Sequence, residues 1–511
     1  MNSTASTSPT SPLIKLAVFA AVAMTILRAI LSAKLGLGDD EAYYWEWTRR
    51  LELSYYDHPA MVAWLIKLGT LLFGQTPLGV RSFGLVCNAV SGFLLWRLSE
   101  RLFGKATAAL ALFFYTFAPI FSLGGLLMVP DAPMGMAWMA VAFLVWCILG
   151  ENDDRWSLWV LAGAALGFGL ISKYTIVLLA GSVVLLMLSE PQWRVYLLRP
   201  KFWLAVVVAA LFCLPIVLWN VQYDWPTIKF HLHDRQTGGG GANFGRWGQF
   251  FASQLLVLGP ALLVLCFGVV AVALRRWSEV KWRFLVLLSV PTFALFCLQA
   301  LYAEFKPHWP APSYMLLFIG GAELMRAGWQ RRPVFWRSVA ALILLIFVPL
   351  NFLFYCGAMT PIIPKIARVV APNAPWEAKF DPTNDLYGWD QALIEAEKIR
   401  AAFRSRGELE PFLSSSRYQL VSQLAFVSQE QVLRISPGKD QYSFWQTPEF
   451  WRPLLGQNSI FITDQRFERD PRGDGVFERC EVQPPFLYYR GEELARQFNI
   501  WICYGFLGFK S

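Results

Sequence analysis

The chain has 511 residues, of which 56% are hydrophobic, 16% aromatic and only 16% charged, with a formal net charge of +9. A soluble domain carries about 25% charged residues, so this composition excludes a single soluble domain, and it equally excludes disordered, collagen-like and disulfide-scaffold chains. The apolar residues fall in nearly charge-free blocks of about 16–22, close to the ~20 residues that cross a bilayer as a helix. The chain therefore reads as a polytopic α-helical membrane protein. Its positive charge is a matter of loop placement, and no nucleic-acid partner is expected.

In chain order the expected spans are 13–33, 79–98, 105–122, 133–150, 157–172, 174–189, 203–219, 250–273, 284–301, 311–325 and 338–357. That is a bundle of about eleven to thirteen transmembrane helices. The pair 157–172 and 174–189 is short enough to be re-entrant. The first stretch is longer than a signal-peptide core and lacks a small-residue cleavage site, so it reads as a retained helix.

Orientation follows the Lys/Arg bias of short loops. WRVYLLRPK carries Arg194, Arg199 and Lys201; LRRWSEVKWR carries Arg275, Arg276, Lys281 and Arg283; RAGWQRRPVFWR carries Arg326, Arg331, Arg332 and Arg337. These three loops are assigned to the cytoplasm. Loops 34–78, 123–132, 220–249 and 302–310 then lie outside, together with the segment after 357.

Residues 1–357 are thus expected to form a membrane domain, and residues 358–511 a small mixed α/β domain on the outer side. In the latter, Trp389, Leu393, Ala396, Ile399 and Phe403 recur at helical spacing, while PFLSSS, SIFITD and NIWICYGF read as short strands. Six of the eight cysteines lie in or beside spans, where they serve as small hydrophobes. Cys480 and Cys503 fall in the outer domain, where a disulfide is permitted; Cys503 is equally suited to a strand core.

The outer loops hold the chemistry. The first, GDDEAYYWEWTRRLELSYYDHPAMVAWLIK, carries Asp39, Asp40, Glu41, Asp57 and His58 among aromatics that suit the membrane interface. Acids at a helix start complement its dipole, and Asp39 is read as a solvated residue of that kind. The second loop has one charge, Asp131, between two prolines, suited to capping the next span. The loop 220–249 carries His231, His233, Asp234 and Arg235 before four glycines, and 302–310 carries Lys306 and His308. All four histidines of the chain thus lie on one face. Lys173, in GLISKYTIV, either snorkels to an interface or meets an anion. Carboxylates can activate a hydroxyl acceptor, and Lys, Arg and His hold phosphate. Together they suit a substrate with an anionic lipid head group.

GDDEAYYWEW followed by SYYDHPAMVAWL, then PDAP, ISKYT and KPHWPAPSYM, resemble the bacterial polyprenyl-phosphate-sugar glycosyltransferases of the GT-C fold. This superfamily includes the protein O-mannosyltransferases and the lipid A aminoarabinose transferases. The similarity runs nearly end to end, with SSSRYQLVSQLAFV and QYSFWQ in the tail.

The resemblance implies Asp40, Glu41 and Asp131 as the catalytic acids, with Asp40 the base toward the acceptor. It implies donor-phosphate contacts from His58, Lys173, Arg235 and Lys306. Asp57 and His58 stand where the aminoarabinose enzymes have Glu-Lys before Pro-Pro, a pair that binds a divalent metal and the lipid phosphate. Asp57, His58 and His233 are accordingly the candidate metal ligands, although here Lys has become His58 and the second Pro Ala60. Tyr43 stands where those enzymes have Arg.

The implied reaction is inverting transfer of a sugar from a polyprenyl-phosphate donor to a hydroxyl of an envelope acceptor. Lipid A, another lipopolysaccharide or glycan sugar, and protein are all open as that acceptor. The implied location is the periplasmic face of the bacterial inner membrane. The competing readings are a lipid-linked-sugar transporter or flippase, which would place polar residues at mid-span, and a non-catalytic lipid-binding protein.

Overall fold

The computed structural model describes residues 10–230, 241–435 and 438–509. The chain's internal contacts divide it into two compact units. The first comprises Met1–Leu31, Glu52–Leu65 and Arg81–Asn351; the second comprises Ser32–Leu51, Ile66–Val80 and Phe352–Ser511. This division does not follow hydropathy, which separates 1–357 from 358–511. Two pieces of the first long loop, with the flanking ends of helices, group with the C-terminal residues, while its middle groups with the apolar helices.

The first unit is a helical membrane bundle, as expected where every backbone polar group must be satisfied within its own segment. Each expected span is helical. Among the described residues, five helices are long and apolar enough to cross a bilayer: Pro12–Lys34, Pro77–Phe103, Asp131–Gly150, Val280–Tyr302 and Pro333–Met359. Two bent pairs bring the number to seven. Met61–Phe73, Lys105–Phe117, Trp156–Leu170 and Tyr174–Leu188 are apolar but shorter.

Several expected spans are broken rather than continuous, among them 203–219 and 250–273. The stretch 250–273 divides at Gly259, whose φ of 74° suits glycine, and at Pro260, which cannot donate to the preceding turn; the two halves are bent by 106°. The stretch 203–219 divides at Cys213 into Pro200–Phe212 and Leu214–Gln222, with Pro215 in the first turn of the second piece.

Small residues let helices in this bundle approach closely. A Cβ at Gly163 would fall 2.3 Å from the carbonyl oxygen of Ala205, so helices Trp156–Leu170 and Pro200–Phe212 cross with backbone nearly in contact. Arg28, the one arginine of the first span, is 3% exposed and donates to Asn88 Oδ1 at 2.9 Å and to the Thr116 carbonyl at 3.1 Å.

The second unit contains the sheet. Its strands are β1 (Phe412–Ser415), β2 (Leu433–Arg434), β3 (Ser459–Asp464), β4 (Phe477–Val482), β5 (Phe486–Arg490) and β6 (Glu493–Phe506). Helix Tyr418–Ser428 carries the chain from β1 to β2, which pair in parallel, as a crossover requires. β1 also pairs in parallel with β3, and β3 lies antiparallel to β6, with Ser459 opposite Cys503.

The length of β6 lets its other edge take two partners, β4 opposite 501–506 and β5 opposite 493–498. Cys480 and Cys503 are directly opposite residues on β4 and β6 and form a disulfide. Helix Trp389–Ser405 lies where the apolar spacing places one.

Candidate functional site

In the second unit, Asp39, Asp40 and Glu41 open helix Asp39–Trp47. The three carboxylates have separate fates. Glu41 is 1% exposed, and its Oε2 accepts from the Gly38 N–H at 2.9 Å, a capping-box contact that satisfies a free helix-end donor.

Asp39 is not the solvated helix-dipole partner expected from sequence. Its Oδ2 accepts from Arg466 Nη1 at 2.9 Å and its Oδ1 from Gln423 Nε2 at 3.0 Å. Arg466 also reaches Asp385 at 2.6 Å and Asp464 at 2.9 Å, and Arg496 pairs with Asp464 at 2.8 Å. Burial raises the Asp385 carboxyl to about 6, against the opposing pull of Arg466.

Asp40 alone of the three is exposed; Tyr418 Oη donates to its Oδ1 at 3.3 Å. A carboxylate exposed to solvent is the group of this triplet suited to accept a proton from a substrate.

Tyr43, where the resembling enzymes carry Arg, is a packing residue here. It is 3% exposed, its ring centroid is 4.4 Å from that of Tyr418, and its hydroxyl accepts from the Gln441 N–H at 2.8 Å.

In the first unit, Asp131 opens helix Asp131–Val145 directly after Pro130. A proline has no donor to give, and it sits where none is needed. Lys173 follows helix Trp156–Leu170 in an extended conformation (φ −156°, ψ 130°), its N–H donating to the Gly169 carbonyl at 2.9 Å. Its ammonium meets an anion rather than snorkelling: Lys173 Nζ donates to Asp131 Oδ1 at 2.7 Å and Oδ2 at 2.8 Å.

His308 Nε2 stands 4.0 Å from Asp131 Oδ2, and His58 is also near enough to interact with the Asp131 charge. His58 belongs to a tight loop closed by the Ser54–Pro59 bridge and by the Tyr55 N–H donating to the His58 carbonyl at 3.2 Å. Lys306 is exposed in the turn that carries His308. Residues far apart in the chain thus place one carboxylate among an ammonium and two imidazoles, a donor-rich surrounding for an anionic group.

His233 and Arg235, with His231 and Asp234, lie outside the described residues. Asp57 and His58 are adjacent, but among the described residues no group of three or more His, Cys, Asp or Glu converges as a metal site. Sequence reasoning missed Tyr418, Gln423 and Arg466, whose partners lie hundreds of positions away. It also missed Arg28, for which a lone arginine in an apolar span was a usable signal.

The fold has close counterparts. ArnT from Cupriavidus metallidurans bound to undecaprenyl phosphate superposes with a TM-score of 0.60 at 15% identity, covering 94% of this chain and 97% of that one. The apo state of the same protein gives 0.59 at 14% identity, with the same coverage. The chain therefore shares the fold of this protein, the GT-C fold.

Sequence similarity narrows the neighbourhood. Residues 57–219 match the family model described as dolichyl-phosphate-mannose-protein mannosyltransferase. The lipid A galacturonosyltransferase RgtD of Rhizobium johnstonii is 27% identical over 57% of this chain and 61% of its own length. The undecaprenyl phosphate-α-4-amino-4-deoxy-L-arabinose arabinosyl transferase of Pseudomonas aeruginosa is 30% identical over 51% of this chain and 48% of its own. The matched region thus spans about half of the one relative and three fifths of the other.

Proposed function

We propose that the protein is an inverting glycosyltransferase that moves one sugar from a polyprenyl-phosphate donor to a hydroxyl of lipid A. The observation that carries this reading is the division of labour in the acidic triplet: Asp39 is committed to Arg466 and Gln423, Glu41 to the helix start, and Asp40 is exposed. The names of the relatives support both the donor class and lipid A as the acceptor.

Asp40 takes the proton of the acceptor hydroxyl. That oxygen attacks the anomeric carbon from the side opposite the phosphate. The bond from that carbon to the phosphate oxygen breaks, and its electron pair leaves with the lipid phosphate. Negative charge grows on the departing phosphate, so fixed cations lower the barrier there. Lys173, Lys306 and Arg235 take that role, with His58 near Asp131. Asp131 holds the Lys173 ammonium in place.

We assign the reaction to the periplasmic face of a bacterial inner membrane. The Lys/Arg-rich loops support that orientation, and so does the Cys480–Cys503 disulfide, a bond that persists in oxidising compartments.

The test is mass spectrometry of lipid A from cells with and without the gene. The expected result is loss of a species heavier by one sugar residue, restored by the wild-type protein but not by Asp40→Asn. An identical lipid A profile in the two strains overturns the acceptor assignment.

A further inference from the structure

We propose that helix Ile362–Val370 lies along the membrane surface, with its apolar face set into the boundary between lipid headgroups and acyl chains. The inference concerns the second unit and is independent of the reading of Asp40 as a base.

Only Thr360 and Pro361 separate this helix from the span Pro333–Met359. At Pro361 the chain turns sharply. Its φ of −78° and ψ of 58° are those of an inverse γ-turn, closed by the Ile362 N–H donating to the Thr360 carbonyl at 2.8 Å. Two linking residues keep the start of the helix within about 10 Å of the end of the span. The helix has nine residues. At the usual rise it covers about 14 Å, too little for the ~30 Å hydrocarbon core, so it is not a further span.

Its sequence, IIPKIARVV, is two-sided. At helical spacing Ile362, Ile363, Ile366, Val369 and Val370 fall on one side, and Pro364, Lys365 and Arg368 on the other. The first turn of the apolar side leans on the span: a Cβ on Gly357 would come 2.9 Å from Ile363 Cδ1. Beyond it, Ile366, Val369 and Val370 are exposed, the two valines by 82% and 77%. A short helix with a full apolar face and a basic opposite face is the kind that binds in the plane of a bilayer. Lipid is the occupant that the position supplies, because the helix begins where a span ends.

The polar side is fastened to the sheet. Arg368 donates from both Nη atoms to the two carboxylate oxygens of Glu493, at 2.6 and 2.5 Å. Arg490, at the end of β5, donates through Nη2 to the carbonyls of Gly357 and Ala358 at 2.7 and 3.1 Å. These carbonyls belong to the last turn of the span, where a helix leaves its acceptors without partners of its own. The β5–β6 hairpin thus grips both the end of the span and the polar side of the helix. Further on, Phe380 is exposed with the Lys379 ammonium 5.6 Å from its ring centroid. Exposed aromatics and lysines whose stems cover apolar surface are common at membrane interfaces.

The test uses the full-length protein in phospholipid bilayers, with the six free cysteines replaced and Cys480–Cys503 kept. A nitroxide side chain is placed by Ile366→Cys, Val369→Cys or Val370→Cys, and by Ala401→Cys as an exposed reference on helix Trp389–Ser405. Its spin relaxation is read with oxygen, which concentrates in lipid, and with a water-soluble nickel complex. We expect oxygen to dominate at 366, 369 and 370, at depths of about 5–10 Å, and nickel to dominate at 401. Nickel dominance at 369 and 370 overturns the inference, since the valines are then in water. Low collision with both reagents also overturns it, since a second copy or another protein then covers the face.

A second measurement needs no variant. A lipid carrying a photoactivated carbene source near its headgroup is added to the wild-type protein, and the tryptic peptide 369–379 is examined for adducts. Lipid on that peptide supports the inference. An unlabelled peptide 369–379 beside labelled peptides from the spans overturns it.

Discussion

Lys173 Nζ donates to both oxygens of Asp131, at 2.7 and 2.8 Å, with the lysine side chain 8% exposed and the aspartate 25%. Removing one partner of a buried pair strands the other, at a cost of about 3–5 kcal/mol when both are fully enclosed. The quarter exposure of Asp131 lowers this, so Lys173→Met should destabilise by about 2–3 kcal/mol. Adding Asp131→Asn should recover most of the melting temperature and none of the turnover. Full turnover in the double variant would show that the pair is structural only.

The acidic triplet predicts a steep contrast between neighbours. Asp40→Asn should lower turnover by about 10²–10⁴-fold, the usual range for loss of a general base, with donor affinity unchanged. Glu41→Gln keeps an acceptor oxygen for the Gly38 N–H, so its turnover should stay within a few-fold of wild type. Glu41→Ala removes the cap and should cost about 1 kcal/mol. Parallel kinetics and thermal melts of the three variants check this; collapse in Glu41→Gln with near-normal Asp40→Asn would exchange their roles.

Much of this was legible in the sequence because membrane helices are written locally. An apolar block without charge can hardly be anything else, and every expected block is helical. The breaks at Gly259 and Cys213 do not show in hydropathy, which is blind to direction, although Pro260 and Pro215 mark them. In the second unit β3 and β6 are dense in apolar residues and were visible. β4, with its exposed Glu478, Arg479 and Glu481, was not. The candidate acids were readable as residue types in outer loops. Their separation into Asp39 paired, Glu41 capping and Asp40 exposed was not, because Arg466, Gln423 and Tyr418 reach them from beyond residue 400, and no local pattern carries that information.

Topology can be checked within the first unit alone. Single cysteines in place of Asn243 and Ser278, introduced into a variant whose free cysteines are replaced, should react with a membrane-impermeant maleimide from opposite sides. The loop around Ser278 carries Arg275, Arg276, Lys281 and Arg283 and should be reached only from the cytoplasm. Labelling of both positions from one side would invert or abolish the proposed orientation.

The cysteine pattern gives a chemical readout of the same assignment. Six cysteines are free, and Cys480 and Cys503 are joined across β4 and β6. Alkylation of denatured, unreduced protein should therefore modify six thiols and leave the tryptic peptides of Cys480 and Cys503 linked. With the partners 23 positions apart in sequence, replacing both by serine should cost about 3 kcal/mol through the freer unfolded chain. Eight reactive thiols without reductant would contradict both the pairing and an oxidising location for this unit.

Two buried acids, Glu46 and Asp440, and the half-buried Asp385 set the pH response of the second unit. Burial raises Asp385 and Asp440 to about 6, each opposed by an arginine (Arg466 and Arg434), and Glu46 to about 7, opposed by Arg49 and Arg50. In the unfolded chain such carboxyls titrate near about 4. Between about pH 4 and the raised folded value, the folded state holds protons that the unfolded state has lost, so stability falls as pH rises through that window. The loss is complete above about pH 6 for the two aspartates and above about pH 7 for Glu46. Asp385→Asn removes the burden of ionising a half-buried carboxyl but also one partner of Arg466, which keeps Asp39 and Asp464. Its unfolding free energy should therefore fall less steeply than wild type between pH 4 and 6, and Glu46→Gln should do the same up to pH 7. Denaturant melts across pH 4–8 make the comparison directly. A slope unchanged by Asp385→Asn would mean that this carboxyl is ionised in the folded protein at ordinary pH, with Arg466 outweighing its burial.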